Sequence, residues 1–289
     1  MKIGLIGAGR WGRNAARAMA KAGVLAWVSD PDTDAAVALA SEHGVPVRPP
    51  YDFTGCDGCW VASPIETHEL LVRELIVAHK HVLCEKPLAR TKAQAEMLAD
   101  EAKRRGLVLM CDFTWEAHAG VLQLLASDGI RQFHAARHAQ DERGFDPLED
   151  LLPHDVALAR LAFDQQVRRV SVVNGAEDEE DCVIVALDIG DRDRGCGAST
   201  SYSYSRSEKV RRVTVTTEIG NDVAVYRNDG ENLPGAPEPL AVILDTFLDA
   251  IRTGQPPTIG SADEFIHVAA VIEAAKKSRA SGGGWVDVV

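Results

Sequence analysis

Short apolar runs alternate with stretches of helical spacing along the first part of the chain. Ile3 to Ile6 is apolar, and the alanine-rich Asn14 to Ala22 has helical periodicity; Val24 to Ser29 and Asp34 to His43 repeat the pair. Cys59 to Ala62, His81 to Cys84 and Val108 to Cys111 are further buried-type runs, separated by helical segments at about Glu66 to Ala78 and Thr91 to Arg105. Gly44 and Gly106 stand where two of the helices should stop. Strands separated by helices of about 10 to 15 residues predict a parallel, doubly wound α/β sheet. Ligands gather at the carboxyl ends of the strands in such sheets. Gly7, Asp30, Ser63, Glu85 and Asp112 each lie at or just past a predicted strand end and are expected on one rim.

Beyond about residue 118 the pattern changes. Val121 to Leu125 still reads as helix, Ile130 to His138 alternates, and a charged loop from Gln140 to Glu149 leads into a helix near Asp150. Strand-like runs follow at Val167–Val173, Cys182–Ile189, Ala198–Tyr204, Lys209–Glu218 and Val223–Arg227, joined by Gly, Asp and Asn, the residues of hairpin turns. Helices over Leu240–Arg252 and Ala262–Ala280 can cover one face, and Trp285 to Val289 can add a strand. The expected organisation is a parallel α/β domain over 1–118 and an α+β domain over 119–289 with an open, mostly antiparallel sheet. From Ser199 to Ser207 serines alternate with Thr200, Tyr202, Tyr204 and Arg206. Tyrosine and arginine on an uncovered sheet face would suit a subunit interface or a substrate wall, while plain exposure fits as well. The acidic run Glu177 to Asp181 reads as a solvated loop.

The turn after the first strand is Gly7-Ala8-Gly9-Arg10-Trp11-Gly12. In a G-x-G-x-x-G between strand and helix, the first glycine makes the tight turn. The second lets a pyrophosphate approach the backbone, and the third lets helix and strand pack closely. Free N–H groups at the helix start then face the phosphates. Asp30 follows the second strand, where a carboxylate accepts hydrogen bonds from the adenosine ribose and repels a 2′-phosphate. The expected cofactor is NAD, with NADP as the second option. The competing reading makes Ser29 or Asp30 a helix cap.

Composition narrows the classes. Of 289 residues 46% are hydrophobic and 26% charged, ordinary for a folded protein of two domains. With 31 basic against 43 acidic residues the net charge is −12, which opposes general attraction to nucleic acid or an anionic membrane. No apolar run approaches the roughly 20 residues of a membrane span, and the chain opens directly into a strand, so a cytoplasmic protein is expected. The six cysteines then read as reduced thiols. Cys56 and Cys59 form a C-x-x-C without a second ligand pair, so no metal site is expected and a loop entering a buried strand fits better.

Two further segments carry chemistry. Cys84-Glu85-Lys86-Pro87-Leu88 ends a strand on the cofactor rim. A lysine held there can exchange a proton with a substrate hydroxyl, and Glu85 can orient it. In Asp150-Leu151-Leu152-Pro153-His154-Asp155, Asp150 and His154 are four apart, on one helical face if the helix continues past Pro153. His154 is a second proton-handling group near neutral pH. A surface Glu-Lys pair and a satisfied histidine are the plainer alternatives.

The Gly7 to Gly12 turn, Ser63-Pro64 with His68 beyond it, the run His81 to Ala89, and the Asp150 and His154 pair together resemble the glucose-fructose oxidoreductase, inositol dehydrogenase and rhizopine-catabolism (Gfo/Idh/MocA) oxidoreductases. The resemblance implies a Rossmann domain followed by a substrate-binding and oligomerisation domain. It also implies nicotinamide-dependent chemistry on carbohydrates or cyclitols, and a homodimer or homotetramer through the C-terminal sheet. Carried over by position, Lys86 is similar to the lysine that binds the reacting oxygen, His154 to the histidine beside it, and Asp150 to the substrate-side acid. Gly7, Gly9, Arg10, Trp11, Gly12, Asp30, Ser63, Pro64, His68, Glu85 and Lys86 are the implied cofactor contacts. Asp112-Phe113-Thr114 is similar to the branch acting on nucleotide-linked sugars, but Trp115-Glu116-Ala117-His118 replaces that branch's aromatic, Asn-Pro stretch. His79 replaces a glycine after the helix ending near Ala78, which histidine should tolerate. The expected reaction is hydride transfer at a secondary alcohol or ketone carbon of a sugar, nucleotide-linked sugar or cyclitol. The alternatives are reduction of a non-sugar carbonyl or imine, and a cofactor-binding regulator without turnover.

Overall fold

Five parallel strands with the order β2-β1-β3-β4-β5 form the centre of the first half of the protein. They are β1 (Ile3–Ile6), β2 (Leu25–Ser29), β3 (Gly58–Val61), β4 (His81–Glu85) and β5 (Leu109–Asp112). The computed structural model describes residues 1–138, 146–174, 182–190, 196–203, 210–218 and 233–289, and the backbone alone of 223–227. The chain divides into two compact units: Met1–Ala117 with Glu238–Ile266, and His118–Pro237 with His267–Val289. No described helix is long and apolar enough to cross a membrane.

In the first unit the strands are apolar on both faces because helices cover both. These are α1 (Arg10–Lys21), α2 (Thr33–His43), α3 (His68–Val77) and α4 (Lys92–Arg104). Their ends follow local chemistry. Asp32 caps α2 by accepting from Ala35 N, Thr91 caps α4 by accepting from Gln94 N, and Gly44 closes α2 at φ 67°. After α3 the backbone turns left-handed at His79 with φ 55°, the position at which glycine was the expected residue. The strand order reverses between β1 and β3, and that is where an open α/β sheet leaves a crevice for a ligand.

The first unit also includes residues 238–266, which differs from an unbroken second domain over 119–289. The reason is the apolar stripe of α8 (Pro239–Thr253): Leu240, Ile243, Leu244, Phe247 and Leu248 join one core with Ala15, Ala16 and Met19 of α1. The second unit comprises α5 (Ala119–Leu125), β6 (Ile130–His138), α6 (Pro147–Asp150), α7 (Leu152–Phe163), β7 (Arg169–Asn174), β8 (Cys182–Asp188), β9 (Gly197–Ser203), β10 (Val210–Thr217) and β11 (Val223–Arg227). The part of α9 (Ala262–Ala280) from His267 onward and β12 (Val286–Asp287) complete it. Its sheet has the order β11-β10-β6-β9-β8-β7-β12, with β6 and β9 parallel and the other neighbours antiparallel.

The tyrosine-bearing face of β9 is a correction. Thr200 and Tyr202 are fully buried and Ser199 and Ser201 half-buried, so the serine side is the more open one up to Ser201, and Ser203 is buried. Helix α7 packs on β6 and β9, which accounts for the covered face. Tyr204, Arg206 and the run Glu177 to Asp181 lie outside the described residues.

Candidate active site

Each glycine of the first turn has a separate steric reason in the structure. Gly7 has φ 109°, and a Cβ there would lie 2.5 Å from the Ala62 carbonyl oxygen of the neighbouring strand end. A Cβ on Gly12 would lie 2.0 Å from the Gly7 carbonyl oxygen, so α1 can approach β1 only without one. A Cβ on Gly9 would meet nothing within 4 Å among the described residues. Packing therefore explains Gly7 and Gly12, whereas the open space at Gly9 is room for a group that is not protein. Gly9 is the N-cap of α1 and has no side-chain cap, leaving helix N–H groups directed outward. Arg10 is exposed at the start of that helix and Trp11 half-buried beside it. Asp30 holds the turn: its Oδ2 accepts from Ala8 N at 2.7 Å and its Oδ1 from Asp32 N at 2.8 Å. Asp32, not Ser29 or Asp30, is the side chain that caps α2. These residues fit a dinucleotide.

Lys86 follows β4 in the same unit, with a cis peptide bond to Pro87. His68 is buried behind it. Its Nδ1 lies 2.9 Å from the Pro87 carbonyl oxygen and its Nε2 2.9 Å from that of Ser63. The imidazole thus ties the Ser63-Pro64 turn to the Lys86-Pro87 turn. Burial lowers its pKa, while the two carbonyl contacts oppose that shift. Ser63 Oγ and Thr67 Oγ1 are 2.7 Å apart, and Thr67 Oγ1 donates to the Pro64 carbonyl at 2.7 Å, closing the turn.

Glu85 and Asp112 are opposite one another at the ends of β4 and β5, and both are buried. Asp112 Oδ1 accepts from Thr114 Oγ1 at 2.5 Å. Burial pushes Glu85 well above the usual carboxylate range, the neighbouring Asp112 pushes it further, and Lys86 and Trp11 act in the opposite sense. Asp112 is raised by burial, with Thr114, Glu85 and Lys86 opposing. Two buried carboxyls side by side cannot both ionise at little cost.

In the second unit Asp150 ends α6 and His154 lies in the first turn of α7, with Pro153 beside it. The two are therefore not on one uninterrupted helix; Leu151 is the junction, and its carbonyl accepts from His154 N at 3.2 Å. The missing N–H of Pro153 is tolerated there because the first turn leaves N–H groups unused. The residue after His154 supplies an anchor that the sequence did not single out. Asp155 Oδ1 accepts from Arg137 Nε at 2.8 Å and Nη2 at 2.6 Å, and its Oδ2 accepts from Tyr202 Oη at 2.9 Å. Arg137 falls on the face of β6 that carries Phe133 and Ala135, and a charge on that apolar face was the available signal. At the other end of the segment, Asp146 caps α6 through Leu148 N at 3.0 Å and receives Arg279 Nη1 at 2.9 Å and Nη2 at 2.5 Å. Lys276 pairs with Glu149. Helix α9 thus fixes the turn carrying Asp150.

Cys56 and Cys59 are buried with their sulfurs 3.7 Å apart. Among the described residues no group of three His, Cys, Asp or Glu side chains could hold a metal ion. Thr114–Ala117 is a short 3-10 turn packed against α8, with Glu116 buried.

A parallel sheet with this glycine turn at its switch point defines a dinucleotide-binding protein. Residues 1–113 match the family model described as "Oxidoreductase family, NAD-binding Rossmann fold", GFO_IDH_MocA. The chain is 26% identical over 290 residues to the UDP-N-acetylglucosamine 3-dehydrogenase of Acidithiobacillus ferrooxidans, covering 89% of this chain and 90% of that protein. It is 33% identical over 196 residues to an inositol 2-dehydrogenase of Acidothermus cellulolyticus, covering 61% of this chain and 57% of that one. The solved structure of the Acidithiobacillus enzyme superposes with a TM-score of 0.82 at 25% identity, covering 96% and 98% of the two chains. Residues 1–113 thus carry the NAD-binding Rossmann fold of the Gfo/Idh/MocA oxidoreductase model, and most of the chain is similar to the Acidithiobacillus enzyme.

Proposed function

We propose that the protein is a dehydrogenase acting at a secondary alcohol or ketone carbon of a sugar, a nucleotide-linked sugar or a cyclitol. The observation that carries this reading is the Lys86 turn on the same sheet rim as the glycine turn, with β3 between them, in a chain similar to members of a family that, as named above, act on such substrates. NAD is the preferred cofactor, because Asp30 is held at the rim by Ala8 and Asp32 and its carboxylate would repel a 2′-phosphate. Gly7, Gly9, Gly12 and the start of α1 receive the pyrophosphate, Asp30 the ribose, and Arg10, Trp11, Ser63, Pro64 and Glu85 line the rest of the site. His68 contributes by holding two of these turns together.

Bound there, the nicotinamide supplies the hydride chemistry. The protein supplies orientation and the proton path. Lys86 binds the reacting oxygen and gives or takes its proton, His154 is the partner acid or base, and Asp150 orients the substrate side. The second unit carries the substrate contacts and, through its sheet, the contacts of a homodimer or homotetramer. The substrate is a small molecule, with no role for nucleic acid or membrane, and the protein works in the cytoplasm. Proton transfer by a positioned side chain is worth about 10²- to 10⁴-fold in rate. Lys86→Ala should therefore lose at least about 100-fold in kcat on a substrate found by screening sugar nucleotides, free sugars and cyclitols for NADH absorbance, while the NAD dissociation constant stays near wild type. Wild-type turnover in that variant removes Lys86 from the mechanism.

A further inference from the structure

We propose that Glu85 and Asp112 hold one proton between them and so present a single negative charge to Lys86, which makes Asp112 a positioning residue for the proton transfer of the lysine. The proposal rests on the dehydrogenase reading and adds to it the charge that the ends of β4 and β5 set beside the reacting lysine. The geometry carries it. Parallel register places the two carboxyls at adjacent strand ends, 7% and 0% exposed. Glu85 Oε1 and Asp112 Oδ2 are buried atoms without a partner at standard hydrogen-bond geometry among the described residues. Thr114 Oγ1 donates to Asp112 Oδ1, which favours the ionised form on Asp112 and leaves the proton to Glu85. Burial raises both carboxyls, the mutual repulsion falls mainly on Glu85, and Lys86 draws both down.

Cys84 of β4 and Cys111 of β5 are thiols that burial pushes up, so they stay neutral. Trp11 of α1 and Thr114 are neutral donors. Glu264, in the first turn of α9, accepts from Gly260 N at 2.7 Å and bears on Cys111.

A shared proton makes the two carboxyls interchangeable as a charge. Glu85→Gln leaves Asp112 ionised, and Asp112→Asn removes the neighbour that keeps Glu85 protonated, so either variant still presents one negative charge. Only the double variant presents none. The readout is labelling of Lys86 in the full chain by acetic anhydride against pH, followed by mass spectrometry of its peptide. The double variant should lower the labelling midpoint by about one pH unit or more, the range for loss of an opposite charge at close range, and each single variant by less than half of that. A double variant that labels like wild type, or a single variant that moves by half the double shift or more, overturns the proposal. Infrared spectra of the wild type give a second test that does not need the double variant to fold. At neutral pH a carbonyl band of an un-ionised carboxyl should be present and should be lost in Glu85→Gln; its absence from wild type overturns the proposal. Neither measurement uses turnover, so a failed substrate screen and a failed proton-sharing pair remain distinct results.

Discussion

A methyl group added at Gly12 would sit 2.0 Å from a backbone oxygen, whereas one added at Gly9 would touch no atom of the described residues within 4 Å. The two substitutions should therefore separate folding from cofactor binding. Gly12→Ala forces α1 away from β1 and should cost about 1 to 3 kcal/mol in stability as well as NAD affinity. Gly9→Ala, whose backbone φ of −69° suits any residue, should change stability by no more than about 0.5 kcal/mol yet weaken NAD binding. Denaturant unfolding and calorimetric titration with NAD check both, and full NAD affinity in Gly9→Ala would remove the pyrophosphate from that space. The tight turn at Gly7 and the close packing at Gly12 were legible in the sequence because their causes are local. The pairing of Glu85 with Asp112 was not, since it depends on the register of two strands whose paired residues are 27 positions apart.

Helix α7 is held to its sheet by a buried charge. Asp155, with no exposed surface, is bound by Arg137 from β6 and Tyr202 from β9, so the first turn of α7, which carries His154, is anchored to two neighbouring parallel strands. Removing one partner of a buried ion pair leaves the other without compensation, at a cost of about 3 to 5 kcal/mol. Asp155→Ala should be destabilised by that amount in urea, and Tyr202→Phe by about 1.5 to 3 kcal/mol, the range for a hydrogen bond to a charge. An Asp155→Ala variant as stable as wild type would mean that apolar packing alone holds α7. Alternation along β9 did show which residues share a face. It could not show which face is covered, because that depends on where α7, some 40 residues earlier, comes to rest. The spacing of Asp150 and His154 likewise looked helical, and only the junction at Leu151 separates the turns.

The whole molecule is a parallel α/β unit and a mixed-sheet unit, both of the class that the strand and helix periods announce. Membership of α8 was hidden. Its apolar stripe declares a buried face, but a stripe carries no address, and its partner α1 lies more than 200 residues away. A fragment ending at residue 118 should therefore lack a cooperative thermal transition, whereas the full chain should show one in circular dichroism; a cooperative fragment would make α8 dispensable. The interruption also has a consequence in time. After Ala117 the ribosome must add the 120 residues 118–237 before the helix that completes the first core begins to emerge. At about 5 to 20 residues per second that interval is roughly 6 to 24 seconds. During it the apolar side of α1 is bare on the nascent chain, a stretch open to chaperone capture.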